Sequence, residues 1–294
     1  MKIKDYYKYS KFIKTALKEN NYDKLIILTA QSGIFIKKYI FKHYKNKYIL
    51  DIRDYASAKY YMSILENLIK NSYFTSISSH GYKTWLPKSD KYIISHNISN
   101  DRLKNLKDFK SDLKFPINVN TIGAIRHYNE NIRIIDELKN NKDYNLYFMG
   151  KGSEEESLKL YCNKNSIENV KFTGIYKREE EPNLYYSADI INIFTGNSQK
   201  RGELTNRLYN ACVYGKPMIV SKSSYMKDIV EKYSLGFAID IEKENLKEEI
   251  AKYIQNFDEK TFNEGRCKFI ELVKNDQQIF ESKLNQFIEI KELL

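Results

Sequence analysis

The sequence has little of what marks a secreted, zinc-binding or membrane-spanning protein. Its three cysteines lie far apart and form no Cys-x-x-Cys pair, which argues against a disulfide framework or a zinc finger. Its four histidines show no His-Glu-x-x-His spacing. The N-terminus lacks the apolar stretch of a signal peptide, and no apolar run approaches the roughly 20 residues of a transmembrane helix. These features predict a cytoplasmic protein without a metal site.

Positive charge is concentrated in the first part of the chain. The 294 residues carry a net charge of +11. Residues 1–116 contain 23 basic and 10 acidic residues, whereas residues 117–294 contain 26 basic and 28 acidic residues. This asymmetry indicates an anionic partner, either a membrane surface or a nucleic acid, or else lysines that only aid solubility. No helix-turn-helix, RNP or zinc signature supports nucleic acid, so we expect an anionic membrane surface and no nucleic-acid partner.

Short apolar runs alternate with longer helical patterns, which is typical of an α/β protein with parallel sheets. The predicted strands are Lys24–Ala30, Tyr48–Ile52, Phe74–Ser78, Tyr92–Ser95, Ile117–Ile122, Leu146–Met149, Val170–Phe172, Ile190–Phe194, Met218–Ser221 and Phe237–Ile239. The predicted helices are Ile34–Lys45, Ala56–Ile69, a short one near Gly81–Leu86, Asn131–Leu138, Ser153–Asn163, Thr205–Tyr214 and most of Phe262–Leu294.

A polar, lysine-rich segment, Asn100–Phe115, ends at Pro116 and marks a domain boundary. We therefore predict two domains, residues 1–116 and 117–294. Each is expected to be a doubly wound, Rossmann-like α/β unit, and the second also carries the long C-terminal helix. Ligands of such folds bind at the carboxyl ends of the strands, so the two units are expected to face an interdomain cleft.

Four segments of the second domain follow one another in a distinctive order. Gly150-Lys-Gly152 comes after a predicted strand, Asn169-Val-Lys-Phe-Thr-Gly174 and Tyr185-Tyr-Ser-Ala-Asp189 follow it, and the segment from Gly202 to Ser221, GELTNRLYNACVYGKPMIVS, leads through a Gly-x-Pro turn into a buried strand. Together these segments resemble the donor-binding domain of GT-B glycosyltransferases of the GT4 type. In the acidic motif of that family, two Glu residues precede the turn; Glu203 matches the first acid, and Asn210 stands at the second.

The resemblance implies a role for each matching position. Glu203 would hold the donor sugar, and Asn210 would meet the ribose hydroxyls. The helix start at Leu204, Thr205 and Asn206 would bind the diphosphate through free N–H groups. Arg126 would supply a cation to the diphosphate, with Lys200 or Arg201 as a second one. Gly150 and Gly152 would line the donor.

The simpler alternatives for these residues stay open. Glu203 is also explained as an acid favoured near a helix start, Asn210 as a solvated helix residue, and Arg126 as surface charge. Gly150 and Gly152 are also explained as turn residues. The acidic run Glu179–Glu181 is interpreted as a solvated face.

Polar residues also follow the strands of the first domain. Asp51-Ile-Arg-Asp54 resembles a segment of related bacterial enzymes, Ser78-Ser79-His80-Gly81 ends the third strand, and His96-Asn97 follows the fourth. We predict that these groups bind the acceptor or donor sugar. His80, His96 and Asp54 are candidates for catalysis, and an ordinary structural role is the alternative for each.

The resemblance implies a hexosyltransferase that uses a UDP- or GDP-sugar and a glycan or lipid-linked acceptor in bacterial polysaccharide synthesis, such as capsule. It implies a retaining reaction, and the lack of any Asp-x-Asp motif favours metal independence with no cofactor besides the nucleotide-sugar co-substrate. The protein would bind peripherally at the inner face of the membrane, through Lys37, Lys38, Lys42 and Lys45 beside Phe35, Ile36 and Phe41.

The first domain departs from the family pattern, because no strand with a glycine-rich loop precedes Lys24–Ala30. The domain is accordingly short. The alternative function is therefore a non-catalytic or partner-dependent GT-B subunit.

Overall fold

The structure is a computed structural model, and it describes residues 3–55, 61–104, 106, 113–195 and 202–289. The chain divides into two compact units. The first unit comprises Met1–His96, Arg201–Glu203 and Asn275–Leu294, and the second comprises Asn97–Lys200 and Leu204–Lys274. The domain division at Pro116 stays a prediction.

The first unit is built on a four-stranded parallel sheet with the order β1-β2-β3-β4. The strands are β1 (Leu25–Leu28), β2 (Tyr48–Ile52), β3 (Phe74–Ile77) and β4 (Tyr92–Ile94), and the helices are α1 (Ile3–Glu19), α2 (Ala30–His43) and α3 (Met62–Asn71). A 3-10 turn, His80–Thr84, follows β3. Ile40, Leu50 and Leu65 are fully buried between the sheet and its helices.

The second unit contains a six-stranded parallel sheet with the order β10-β9-β8-β5-β6-β7. Its strands are β5 (Ile117–Ile122), β6 (Tyr144–Met149), β7 (Val170–Gly174), β8 (Ile190–Asn192), β9 (Met218–Ser221) and β10 (Gly236–Ile239). Its helices are α4 (Asn100–Leu103), α5 (Tyr128–Leu138), α6 (Glu155–Lys164), α7 (Glu181–Tyr186), α8 (Asn206–Val213), α9 (Met226–Lys232) and α10 (Leu246–Gln255). Helix α11 (Glu259–Glu289) belongs to this unit up to Lys274 and to the first unit from Asn275.

The α/β fold with two parallel-sheet, Rossmann-like units and a long C-terminal helix is confirmed. Buried parallel strands are continuous apolar runs, and β2, β5 and β9 have the bounds that this pattern predicts. Helix α8 ends as predicted, because Gly215 adopts a φ of 68° just past the helix, a conformation that glycine accepts at no steric cost.

The start of the first unit differs from the prediction. Helix α1 was not predicted at all. Strand β1 ends at Leu28 and not at Ala30, because Thr29 caps α2 by accepting a hydrogen bond from the Ser32 N–H at 3.4 Å. Helix α2 consequently begins at Ala30, before the predicted start at Ile34.

Candidate functional site

The strand order of the second unit places a topological switch point between β5 and β8. The chain runs from β5 through β6 to β7 on one side and from β8 through β9 to β10 on the other. Open α/β sheets bind ligands in the crevice outside the carboxyl ends of the strands at such a point. The loop that begins at Gly123 leaves β5 at this position.

Gly150 and Gly152 press directly against that loop. A Cβ atom at Gly150 would lie 2.2 Å from the Gly123 carbonyl oxygen, and one at Gly152 would lie 1.9 Å from the Ile125 carbonyl oxygen. Gly150 also has a φ of +135°, which side-chain-bearing residues rarely adopt. The loop after β6 therefore needs glycine to pack against the loop after β5, whether or not a ligand is bound.

Two arginines lie in the loop region after β5. Burial is the main cause that lowers the pKa of Arg207, and the nearby positive charge of Arg126 lowers it further. Arg126 itself is exposed. The Arg207 guanidinium donates to the carbonyl oxygens of Ile122 and, at 2.5 Å, Ala124. The structure therefore brings the predicted Arg126 together with Arg207, which lies in the Gly202–Ser221 segment but was given no role.

The start of α8 has the predicted arrangement of residues. Thr205 occupies the N-cap position with extended backbone, and its hydroxyl makes no cap hydrogen bond. Asn206 is the first helical residue, and its side-chain oxygen accepts from the Asn97 amide at 2.7 Å. Leu204 is buried just before the cap. Free N–H groups and the helix dipole make such a start suited to an anion.

Asn210 is buried, and both ends of its side-chain amide have protein partners. Its oxygen accepts from Arg102 at 2.8 Å, and its nitrogen donates to Glu181 at 3.4 Å. Arg102 and Glu181 form an ion pair at 2.5 Å. The interpretation of Glu179–Glu181 as a solvated face is wrong for Glu181, because the carboxylate is held by Arg102 and Asn210.

Glu203 belongs to the first unit, together with Gly202. The backbone of Gly202 lies so close to the turn after β3 that an added Cβ would be 2.2 Å from the Gly81 carbonyl carbon. The Ser79 hydroxyl donates to the Gly202 carbonyl. The predicted Glu203 and the predicted Ser79-His80-Gly81 segment are thus brought together.

A second cluster of the first unit surrounds Tyr82. Arg53 binds both carboxylate oxygens of Asp51 at 3.0 Å and donates to the Ser95 carbonyl at 2.8 Å. The Tyr82 hydroxyl donates to the Arg53 carbonyl. Burial is the main cause that raises the pKa of Tyr82 to about 12, with smaller contributions from the carboxylates of Glu203 and Asp54. Asp54 and Glu203 therefore share the surroundings of Tyr82.

His80 and His96 share one carboxylate oxygen of Asp276. Each Nε2 atom lies 2.9 Å from Asp276 Oδ2. The His96 side chain is 2% exposed and that of Asp276 is 12% exposed. Burial alone would raise the pKa of Asp276, but the hydrogen bonds and charges of the two histidines outweigh it and hold that pKa well below its usual range. Asp276 lies on α11 and was not predicted.

Two predicted residues, Lys200 and Arg201, lie outside the described residues.

A cavity of about 220 Å³ opens at the carboxyl ends of β8, β9 and β10, lined by Phe194, Ser221, Ser223, residues 240–242 and three residues of α5. Of the predicted site residues that the structure describes, none lines this cavity. Within the described ranges, no group of three or more His, Cys, Asp or Glu side chains is arranged to hold a metal ion.

Comparison with known families places the chain. Residues 100–271 match the family described as glycosyl transferases group 1. The chain belongs to this family. The matched residues of this group 1 glycosyltransferase run from α4 into α11. They include the loops that contain Gly123, Gly150 and Gly152, and helix α8. No curated protein sequence matches the chain.

Solved GT-B structures share the fold of this group 1 glycosyltransferase. Sucrose-phosphate synthase from Thermosynechococcus elongatus is 12% identical, with a TM-score of 0.72, and the match covers 98% of this chain and 80% of that one. HepE from Anabaena in complex with UDP is 15% identical, with a TM-score of 0.70, and the match covers 94% of this chain and 82% of HepE. The lipopolysaccharide outer core galactosyltransferase WaaB is 16% identical, with a TM-score of 0.67, and the match covers 96% of this chain and 80% of WaaB.

Proposed function

We propose that this group 1 glycosyltransferase moves a hexose from a UDP- or GDP-sugar to a glycan or lipid-linked acceptor in bacterial polysaccharide synthesis, such as capsule. One observation carries the proposal. At the switch point of the second unit, the loop after β6 packs through Gly150 and Gly152 on the loop after β5, beside Arg126 and Arg207. Anionic diphosphates bind where cations and open backbone N–H groups converge. The HepE structures with UDP and with UDP-glucose support a uridine donor as the first to test.

Each residue predicted to bind the donor nucleotide has a proposed task. Arg126 and the α8 start at Leu204–Asn206 bind the diphosphate and stabilise its charge as it leaves. Gly150 and Gly152 let the backbone of their loop line the donor. Asn210 meets the ribose hydroxyls, and Arg102 and Glu181 hold its amide in place. Lys200 or Arg201 is the proposed second cation.

The first unit supplies the groups proposed to handle the sugar and the acceptor. Glu203 accepts hydrogen bonds from the sugar hydroxyls, and Asp54 and His96 are the candidate catalytic groups, with His80 beside them. Asp276 fixes the orientation of both imidazoles. We propose a retaining, GT4-type reaction in which arginines and the α8 start, and not a metal ion, stabilise the leaving diphosphate.

Membrane association is proposed for the basic first unit. No helix within the described parts of the chain is long and apolar enough to cross a bilayer. On α2, Ile36 is buried, and the half-buried Phe35 stacks on Tyr6 of α1 with ring centroids 5.3 Å apart, so both of these predicted lipid-facing side chains pack within the unit. Helix α1 exposes Tyr9 and Phe12 beside Lys8 and Lys11, which suits docking to anionic lipid better.

A thermal-shift panel of UDP, GDP, CMP and their sugar conjugates tests the proposal on the wild type and on Glu203→Ala. A ligand that binds the native state raises the melting temperature by mass action. We expect one nucleotide family to stabilise the wild type. The additional stabilisation by its sugar conjugate should be lost in Glu203→Ala, while stabilisation by the nucleotide alone remains.

The alternative, a partner-dependent or non-catalytic subunit, is favoured by Asn210, which replaces the acid of the resembled motif. Failure of every nucleotide to shift the melting temperature would reject the donor proposal and favour this alternative. Equal shifts by the conjugate in wild type and Glu203→Ala would reject only the role of Glu203.

A further inference from the structure

The first strand of the first unit has exposed apolar side chains at its outer edge. Ile26 is 56% exposed and Leu28 is 64% exposed, whereas Ile27 between them is buried. Four further exposed aromatic residues precede them in the chain, namely Tyr7, Tyr9, Phe12 and Tyr22. Contiguous exposed apolar surface marks an interaction site, and Ile26 and Leu28 are neighbours on one face of β1.

The backbone of the same two residues also points away from the sheet. The Leu25 N–H donates to the Lys47 carbonyl and the Thr29 N–H to the Asp51 carbonyl, each at 3.0 Å. Alternate residues of a strand turn their backbone groups to opposite sides, so Ile26 and Leu28 direct theirs away from β2. Among the described residues, no strand pairs with this edge.

The edge strand β7 of the second unit provides an internal contrast. Its exposed residues are Lys171 and Thr173, and a charged side chain on an edge discourages pairing with another chain. Strand β1 has no such protection, because the run from Leu25 through Ile36 contains no charged residue. The outer edge of β1 therefore has the properties of an interface strand.

We propose that β1 pairs antiparallel with β1 of a second copy of this chain, about a twofold axis at Ile27. In this register Ile26 lies opposite Leu28 of the second copy, and Leu28 lies opposite Ile26 of the second copy. Each opposed pair exchanges two N–H···O bonds and places its two side chains on the same face. The exposed apolar side chains thus cover one another, and the two sheets join into one.

The outward backbone groups distinguish a second copy from a lipid surface. A lipid surface would cover the apolar side chains but would leave the outward backbone donors and acceptors without partners. A second copy satisfies both.

Sedimentation velocity of the full chain over a range of concentrations tests this interface. The wild type should approach twice its 34.9 kDa mass as concentration rises. The double variant Ile26→Lys/Leu28→Lys should stay at the monomer mass with an unchanged circular dichroism spectrum. Leu160→Lys, at an exposed leucine of α6, is the matched control and should associate like the wild type. A monomeric wild type, or a double variant that still dimerises, overturns the proposal.

Disulfide trapping tests the register in a Cys267→Ser background, since Cys267 is the exposed cysteine. Ile26→Cys/Leu28→Cys should give a covalent dimer under mild oxidation, because the two new thiols of opposed pairs face each other. Ile26→Cys alone should give at least tenfold less covalent dimer under the same conditions. Equal crosslinking by the single variant would contradict the proposed register.

Discussion

The two units hold the polar groups at their strand ends in different ways. In the second unit, close backbone contacts set the geometry, because Gly150 and Gly152 leave no room for a Cβ against the loop after β5. In the first unit, side-chain hydrogen bonds do so, with Asp276 joining His80 and His96 from a helix about 180 residues away in sequence. The first arrangement is encoded locally, and the second depends on distant parts of the chain.

The largest expected effect concerns the backbone contact of the second unit. Gly152→Ala places a Cβ within 1.9 Å of the Ile125 carbonyl oxygen, so the two loops must move apart. We expect the free energy of unfolding to fall by about 3 kcal/mol or more, as measured by denaturant titration. Gly174→Ala is the matched control. Its φ is +73° but nothing lies within 4 Å, so only backbone strain of about 1 kcal/mol is expected. Equal losses would show that steric contact is not the cause.

An intermediate effect is expected for the first unit's carboxylate. Asp276→Asn should lower the free energy of unfolding at neutral pH by about 1–3 kcal/mol, because two histidines lose a charged acceptor. The folded pKa of Asp276 lies below its ordinary value of about 3.9. The stability it contributes is therefore complete above that ordinary value and is lost as the pH falls through the folded pKa.

Acid unfolding of wild type and Asp276→Asn therefore checks this prediction, and the gap between them should close at low pH. Asp101→Asn is the control, since that carboxylate is 89% exposed in a surface pair with Lys104. Its removal should change the stability far less than Asp276→Asn does at neutral pH, because water and salt screen an exposed pair. A gap that persists unchanged into acid would contradict the assignment.

A smaller effect is expected where the second unit does use side chains. Arg102→Ala removes a partner from both Asn210 and Glu181. We expect a loss of about 1–2 kcal/mol in the free energy of unfolding, because the buried amide oxygen loses its donor. The double variant Arg102→Ala/Glu181→Ala should lose less than the sum of the two single losses. Strict additivity would show that the three side chains do not act as one network.

The same contrast explains which features the sequence predicts. Strands β2, β5 and β9 are continuous apolar runs, and this local signal fixes their bounds. Helix α8 is bracketed by Thr205 and Gly215, whose cap and turn preferences act within a few residues. The fold class and the elements that carry the proposed second-unit site could be predicted for this reason.

The parts that escaped prediction lack a local signal. Helix α1 is rich in lysine and tyrosine, which weakens its apolar pattern although Leu17 is buried. Glu181 belongs to an acidic run that is typical of a solvated face, and only its ion pair with Arg102 distinguishes it. Asp276 has no motif around it, since its function depends on where α11 packs within the first unit. Such contacts follow from tertiary structure alone.

Calorimetric titration of UDP and GDP into the wild type, Arg126→Ala and Arg178→Ala tests the donor site most directly. Arg126 and Arg178 are both exposed arginines of the second unit, but only Arg126 lies in the loop after β5. We predict that the wild type binds one of the two nucleotides and that Arg126→Ala weakens its binding by about tenfold to a hundredfold, the value of a charge-assisted hydrogen bond. Arg178→Ala should bind like the wild type. Equal affinity of the wild type and Arg126→Ala, or no binding of either nucleotide to the wild type, would contradict a diphosphate site at the end of β5.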